Sequence, residues 1–299
     1  MKKFLYAKLP TEQANPRTQN IGRLPVREIL RLINREDQSV PQAVAAARPQ
    51  IERAVSLIVK SLSSGGRLFF AGAGTSGRLG VIEAAECPPT FSTPPSLVQA
   101  VIAGGKSAVF RSREGAEDDL ARGKKIFLKK LRGRDTLVGI AASGVTPFVA
   151  GALQAARVRG AKKILISCHA LTPLKNLADC VITVNTGPEV IAGSTRLKAG
   201  TATKLVLNSL TVASMIRLGK VYRNWMIDLA PKSKKLRARA LGLVKNLGQV
   251  DTRAAERALE EARGQVKLAI LMARTGLNYS RAQKKLKSAA GFLEDALRS

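Results

Sequence analysis

Leu68-Phe69-Phe70-Ala71-Gly72-Ala73-Gly74-Thr75-Ser76-Gly77-Arg78-Leu79-Gly80 runs from apolar residues into a glycine turn with two hydroxyls, then into Val81-Ile82-Glu83-Ala84-Ala85-Glu86. We read a buried strand, a tight turn and a helix start. Glycines let the backbone come close to an anion, and a helix N-terminus offers unpaired N–H groups at a positive dipole end. Glu83 and Glu86, three residues apart, share one helix face along this cradle. An anion cradle with an acid at its edge suggests chemistry on a phosphorylated small molecule.

Around this stretch, short apolar runs alternate with helical segments. Leu68–Ala71, Leu97–Ile102, Leu137–Ala141, Lys163–Ser167 and Val181–Val184 read as strands. Helices are expected near 77–86, 106–131, 147–159, 173–178 and 196–218. Such alternation predicts an α/β fold with a parallel sheet covered on both faces, and in such sheets ligands bind beyond the carboxyl ends of the strands. The glycine turn lies at one such end, and Ala141-Ala142-Ser143-Gly144-Val145-Thr146 lies at another. Ahead of the sheet, residues 1–25 carry Pro10, Pro16 and Pro25 and read as an arm laid on the surface. Val26 to Leu62 has helical spacing, with Pro41 starting a second helix. After Pro231 comes a basic stretch (Lys232, Lys234, Lys235, Arg237, Arg239). From about Gly242, short helices follow, joined at Gly248–Thr252, Gly276–Ser280 and near Gly291.

Fifty basic against twenty-one acidic residues give a net charge of +29, which favours non-specific contact with polyanions. The charges are scattered, however, and aromatics make up only 4%, too few for a base-stacking platform. A basic solvated surface is the expected reading. Cys87, Cys168 and Cys180 form no C-x-x-C pair, so reduced thiols in a cytoplasm are expected. The start Met1–Lys8 is basic, but its apolar run is too short for a signal peptide. No apolar stretch approaches the roughly 18 residues of a membrane span. The expectation is a soluble, cytoplasmic protein without membrane contact.

Several motifs fail on inspection. Gly72-x-Gly74-x-x-Gly77 matches the dinucleotide fingerprint, but no carboxylate stands between Pro88 and Arg113 to hold a ribose. Gly105-Lys106-Ser107 imitates the end of a P-loop, yet the glycine required five places earlier is Ala100. Arg78 occupies the second glycine position of a serine-hydrolase elbow. The single histidine, His169, has no metal-spaced partner and reads as structural. What remains is two hydroxyl-bearing turns and two acidic groups, Glu83 with Glu86 and Glu114 with Glu117, Asp118 and Asp119. Hydroxyls and turn amides suit a phosphate monoester, although helix capping by Ser and Thr accounts for such turns too. The acids suit either acid–base work or the positive ends of helices.

Gly72–Gly80, Glu86-Cys87-Pro88-Pro89-Thr90, Glu114-Gly115-Ala116-Glu117-Asp118 and Gly193-Ser194-Thr195-Arg196-Leu197-Lys198-Ala199-Gly200-Thr201 closely resemble the N-acetylmuramic acid 6-phosphate etherases. These are sugar-isomerase-domain (SIS) proteins related to the glucokinase regulatory protein. The resemblance extends to Thr11-Glu12-Gln13-Ala14-Asn15-Pro16-Arg17 and Leu32-Ile33-Asn34-Arg35-Glu36-Asp37. It implies a three-layer α-β-α SIS domain with a mostly parallel five-stranded sheet and a small C-terminal helical domain. The segments are then 1–48 (arm and helix), 49–230 (SIS phosphosugar-binding domain) and 231–299 (ubiquitin-associated-like helices). It further implies a cytoplasmic, homodimeric lyase without metal or cofactor, acting on a phosphorylated amino sugar in cell-wall sugar recycling. In that scheme Glu86 protonates the departing lactate and Glu117 is the second catalytic carboxylate. Thr75, Ser76, Gly77, Ser143, Gly144 and Thr146 hold the phosphosugar, with Lys198 a further candidate for its phosphate or lactate charge.

The chain departs from the family pattern at four places. Val145 stands where arginine is common, His169 replaces an asparagine, Arg223 replaces a glycine, and Lys232–Lys235 is unusually basic. Two other functions compete: a non-catalytic sugar-phosphate sensor, and a binder of nucleic acid or envelope polyanions through the +29 charge.

Overall fold

The computed structural model describes residues 9–229, 231 and 233–298. The opening Met1–Lys8 and Lys232 of the basic stretch lie outside them. Short 3-10 turns lead into α1 (Val26–Asp37), α2 (Val40–Ala46) and α3 (Arg48–Ser63). There follow β1 (Leu68–Gly72), α4 (Gly74–Phe91), β2 (Val98–Ile102), α5 (Leu120–Lys130), β3 (Thr136–Ile140), α6 (Pro147–Val158), β4 (Lys162–Ser167), β5 (Cys180–Thr183) and α7 (Lys198–Arg217). The chain continues through β6 (Val221–Tyr222), β7 (Trp225–Met226), α8 (Lys234–Gly248), α9 (Thr252–Glu261), α10 (Val266–Thr275), α11 (Tyr279–Ser288) and α12 (Leu293–Arg298). No helix among the described residues is long and apolar enough to cross a membrane.

Strands β1 to β5 form one all-parallel sheet in the order β2-β1-β3-β4-β5. β1 and β3 are buried throughout, as expected for strands covered on both faces. The period of two divides their side chains between those faces. Phe69, Ala71, Leu137 and Leu165 pack with Phe127 of α5 and Phe148 and Leu153 of α6. On the other face α4 lies so close that a side chain at Gly80 would come within 3.0 Å of Phe70, and α3 packs across β1, β3, β4 and β5. The order 2-1-3-4-5 changes direction between β1 and β3, which opens a crevice beyond their carboxyl ends.

Three expectations are corrected. The region Val26–Leu62 holds three helices because the chain breaks again at Ala47, with Pro49 entering α3 as Pro41 enters α2. The expected helix 106–131 is two 3-10 turns, Lys106–Val109 and Ala116–Asp118, followed by α5. Gly105 and Gly115 adopt positive φ and interrupt the helical path. From Leu9 onward the arm is anchored at several residues as well as laid on the surface. Leu9, Thr11, Asn15 and Thr18 are buried, and the Thr18 hydroxyl donates to the Val190 carbonyl at 2.9 Å.

The described residues pack as two compact units. One runs up to Ala85 and resumes over Ser96–Thr211; the other joins Glu86–Pro95 to the residues from Val212 onward. In the second unit, α8 to α12 and the β6–β7 hairpin share a core of small and aliphatic residues around Val244, Ala255, Leu268 and Leu271. Lys267 is buried there, donating to the Gly219 and Gly291 carbonyls and to Asp228. Helix α8 begins within the basic stretch, earlier than its apolar spacing suggests, and the turn at Arg263–Gln265 separates α9 from α10.

Candidate active site

Gly72 pairs with Ile140 at the carboxyl ends of β1 and β3, so the turns that follow these strands are neighbours. The first turns into α4 at Gly74, whose φ of +52° suits a residue without Cβ. The second enters α6 with Thr146 as N-cap and Pro147 at the first helical position. Two helix N-termini therefore converge on one cavity of about 240 Å³. Thr75, Ser76, Ser143 and Thr146 line it. Thr146 makes no side-chain capping bond, so capping does not account for its hydroxyl. Hydroxyls and first-turn N–H groups at two positive dipole ends form a donor set suited to a phosphate monoester.

The other residues expected at the site are placed differently. Gly77 and Gly144 shape the turns and do not line the cavity. A Cβ on Gly77 would meet the Gly72 carbonyl oxygen at 2.7 Å, and one on Gly144 would meet Thr172 at 2.7 Å. Lys198 is only 1% exposed, and its ammonium pairs with Glu36 at 2.7 Å, itself 2% exposed. Glu36 also accepts from Arg17 and from Asn15. These partners, Arg17 foremost, hold its carboxyl down at about 2 against the cost of burial. The backbone N–H groups of Lys198 and Ala199 donate to Glu189, both at 2.9 Å, which caps the start of α7.

Glu117 lies on the 3-10 turn after Gly115, which has a left-handed φ of 73°. Its side chain is largely exposed, yet it lines this cavity and a neighbouring one of about 160 Å³ beside Arg78, Arg113 and Glu114. Partial burial of the carboxyl, then the nearby Asp118 and Glu114 charges, push it above the ordinary carboxylate range. Glu86 is exposed on α4 and is not one of the residues lining the cavity. Glu83 accepts from the Thr211 hydroxyl. Val145 lines the cavity as an apolar wall, and no lysine or arginine is among the described residues that line it.

Leu9 and Glu12 of the arm, Asp118, and Gly193 and Thr195 of the loop before α7 complete the lining. An arm expected to lie on the surface gives no sign of Leu9, and the signal for Glu12 is the Thr11–Arg17 motif that contains it.

Two SIS profiles match the chain. That of the glucokinase regulatory protein N-terminal SIS domain covers residues 50–157, and that of the SIS domain covers residues 124–213. With the parallel sheet and the cavity at its switch point, they define a SIS-domain protein. An N-acetylmuramic acid 6-phosphate etherase of Picosynechococcus sp. is 48% identical over 292 residues, covering 97% of each chain. Another from Rhizobium rhizogenes is 49% identical over 290 residues, covering 97% of this chain and 94% of its own. A phosphoheptose isomerase structure from Francisella tularensis aligns with a TM-score of 0.47 at 19% identity, over 60% of this chain and 97% of its own. The chain belongs to the N-acetylmuramic acid 6-phosphate etherase family of carbon–oxygen lyases.

Proposed function

We infer that the protein cleaves the D-lactyl ether of N-acetylmuramic acid 6-phosphate, giving N-acetylglucosamine 6-phosphate and D-lactate in cell-wall sugar recycling. The observation that carries this reading at the site is the meeting of four hydroxyls, two helix N-termini and Glu117 in one cavity. The hydroxyls and first-turn amides bind the phosphate. In the open-chain sugar the C1 aldehyde acidifies the C2 proton. A base takes that proton, the C3–O bond breaks, and an acid protonates the departing lactate oxygen. Water then adds across the resulting double bond, with hydroxide at C3 and a proton at C2. The overall change is hydrolysis of the ether, without oxidation or reduction.

Two carboxyl groups in opposite protonation states serve such a sequence. Glu117 is one, with its raised proton affinity and its place at the cavity. Glu86 is the other, a role carried by the family resemblance. A homodimer and a cytoplasmic location belong to the same reading, and sedimentation measures the dimer.

The test is D-lactate release from N-acetylmuramic acid 6-phosphate. Wild type is expected to release it, and Glu117→Gln and Glu86→Gln each to lose about 10²-fold or more in kcat. Binding of the phosphosugar without release would favour a sensor instead.

A further inference from the structure

Glu12 is the one carboxylate that the N-terminal arm brings to the cavity, and the acid–base scheme leaves it without a task. Its position is fixed from both sides. The Thr11 hydroxyl donates to its Oε1 at 3.2 Å, while the Thr11 carbonyl accepts from the Gly193 N–H at 2.8 Å. Gly193 has φ +79°, and a Cβ there would stand 3.1 Å from Glu12 Oε2, so the glycine leaves room for the carboxylate. Further along the arm, Asn15 and Arg17 bond Glu36, which pairs with Lys198 at the start of α7. The group is thus held in place before any ligand arrives.

Among the described residues no lysine or arginine lines the cavity, so none of them competes there for this carboxylate. An acceptor-only group beside a phosphate-binding turn repels the phosphate and attracts neutral donors. A sugar phosphate presents such donors as hydroxyls and an amide N–H. We infer that Glu12 contacts the substrate directly, accepting a hydrogen bond from a sugar hydroxyl or the amide N–H, and so selects phosphosugars over simpler phosphates. This rests on the phosphosugar reading above.

Calorimetric titration of the full chain with N-acetylglucosamine 6-phosphate and with inorganic phosphate tests it, using wild type, Glu12→Ala and Glu12→Gln. Glu12→Ala is expected to weaken the phosphosugar about tenfold or more, the loss of one hydrogen bond to a charged group. Inorganic phosphate should bind as before or more tightly, because a negative charge has gone. Glu12→Gln keeps an acceptor oxygen and should fall between. Unchanged phosphosugar binding in Glu12→Ala overturns the inference. So does a parallel loss of both ligands with a lowered Tm, which would make Glu12 a prop for the arm. A wild type that binds neither ligand removes the phosphosugar reading and this inference with it. A wild type that binds the sugar through Glu12 but releases no lactate leaves Glu12 in place and removes only the lyase.

Discussion

Glu117 and Lys198 show how a side chain's surroundings assign its work. Glu117 is partly buried and sits near Asp118 and Glu114, so its ionised form is disfavoured in the folded protein. The folded carboxyl holds its proton to higher pH than the unfolded one. Stability therefore falls as pH rises from the ordinary carboxylate range through the raised folded value. Glu117→Gln should melt slightly higher than wild type at neutral pH, and the gap should close below pH 4. A melting series over pH measures this, and a variant no more stable at pH 7 would contradict it.

Lys198 is the opposite case. Its ammonium lies in a buried pair, and removing it leaves Glu36 with Arg17 and Asn15 alone. Lys198→Ala should cost about 3 kcal/mol of stability, the lower end for a broken buried pair, as read by urea unfolding. Glu36 is depressed to about 2. Its contribution is therefore present above the ordinary carboxylate range and is lost as pH falls from about 4.5 toward 2. The variant should show a smaller acid-induced loss than wild type over that window.

At the scale of elements, the positions of α5 and α6 depend on two glycines. A Cβ at Gly123 would lie 2.2 Å from the Phe148 carbonyl oxygen, and one at Gly151 would lie 2.1 Å from that of Leu120. These obstacles are backbone atoms, which cannot rotate away. Gly151→Ala should separate the helices and cost roughly 3 kcal/mol or more, above the ordinary range for overpacking. Because α6 carries Thr146 at its start, phosphosugar affinity should fall with stability; equal melting temperatures would refute the packing account. Arg223 illustrates a milder local conflict. It takes φ +54° in the turn between β6 and β7, a conformation that suits glycine better.

Across the whole molecule, the charge and the site pull in different directions. The chain carries +29, yet among the described residues the cavity is lined by Glu12, Glu117 and Asp118 without lysine or arginine. Attraction of an anionic substrate then comes from the long-range field, which salt screens over a Debye length of about 10 Å at 0.1 M. Raising salt from 0.05 to 0.5 M should lower kcat/KM several-fold and leave kcat nearly unchanged. An equal fall in both would place the salt-sensitive charge at the reacting centre.

The fold was legible in the chain because its signals are local. Apolar runs near Leu68, Leu137 and Lys163, bounded by glycine turns, predict strands within one or two residues of those observed, while helix bounds such as 77–86 and 106–131 are less well placed. The two hydroxyl turns were legible for the same reason, since each directly follows a strand. The family resemblance supplied the roles of Glu86 and Glu117, which spacing alone left open. Only the tertiary structure decided that Lys198 pairs with Glu36 and that Glu12 lines one cavity with Thr75 and Ser76. Those placements depend on contacts between residues more than 150 positions apart, such as Thr18 with Val190. Local propensity carries no record of such pairings, because they form when the arm and the loop before α7 pack together.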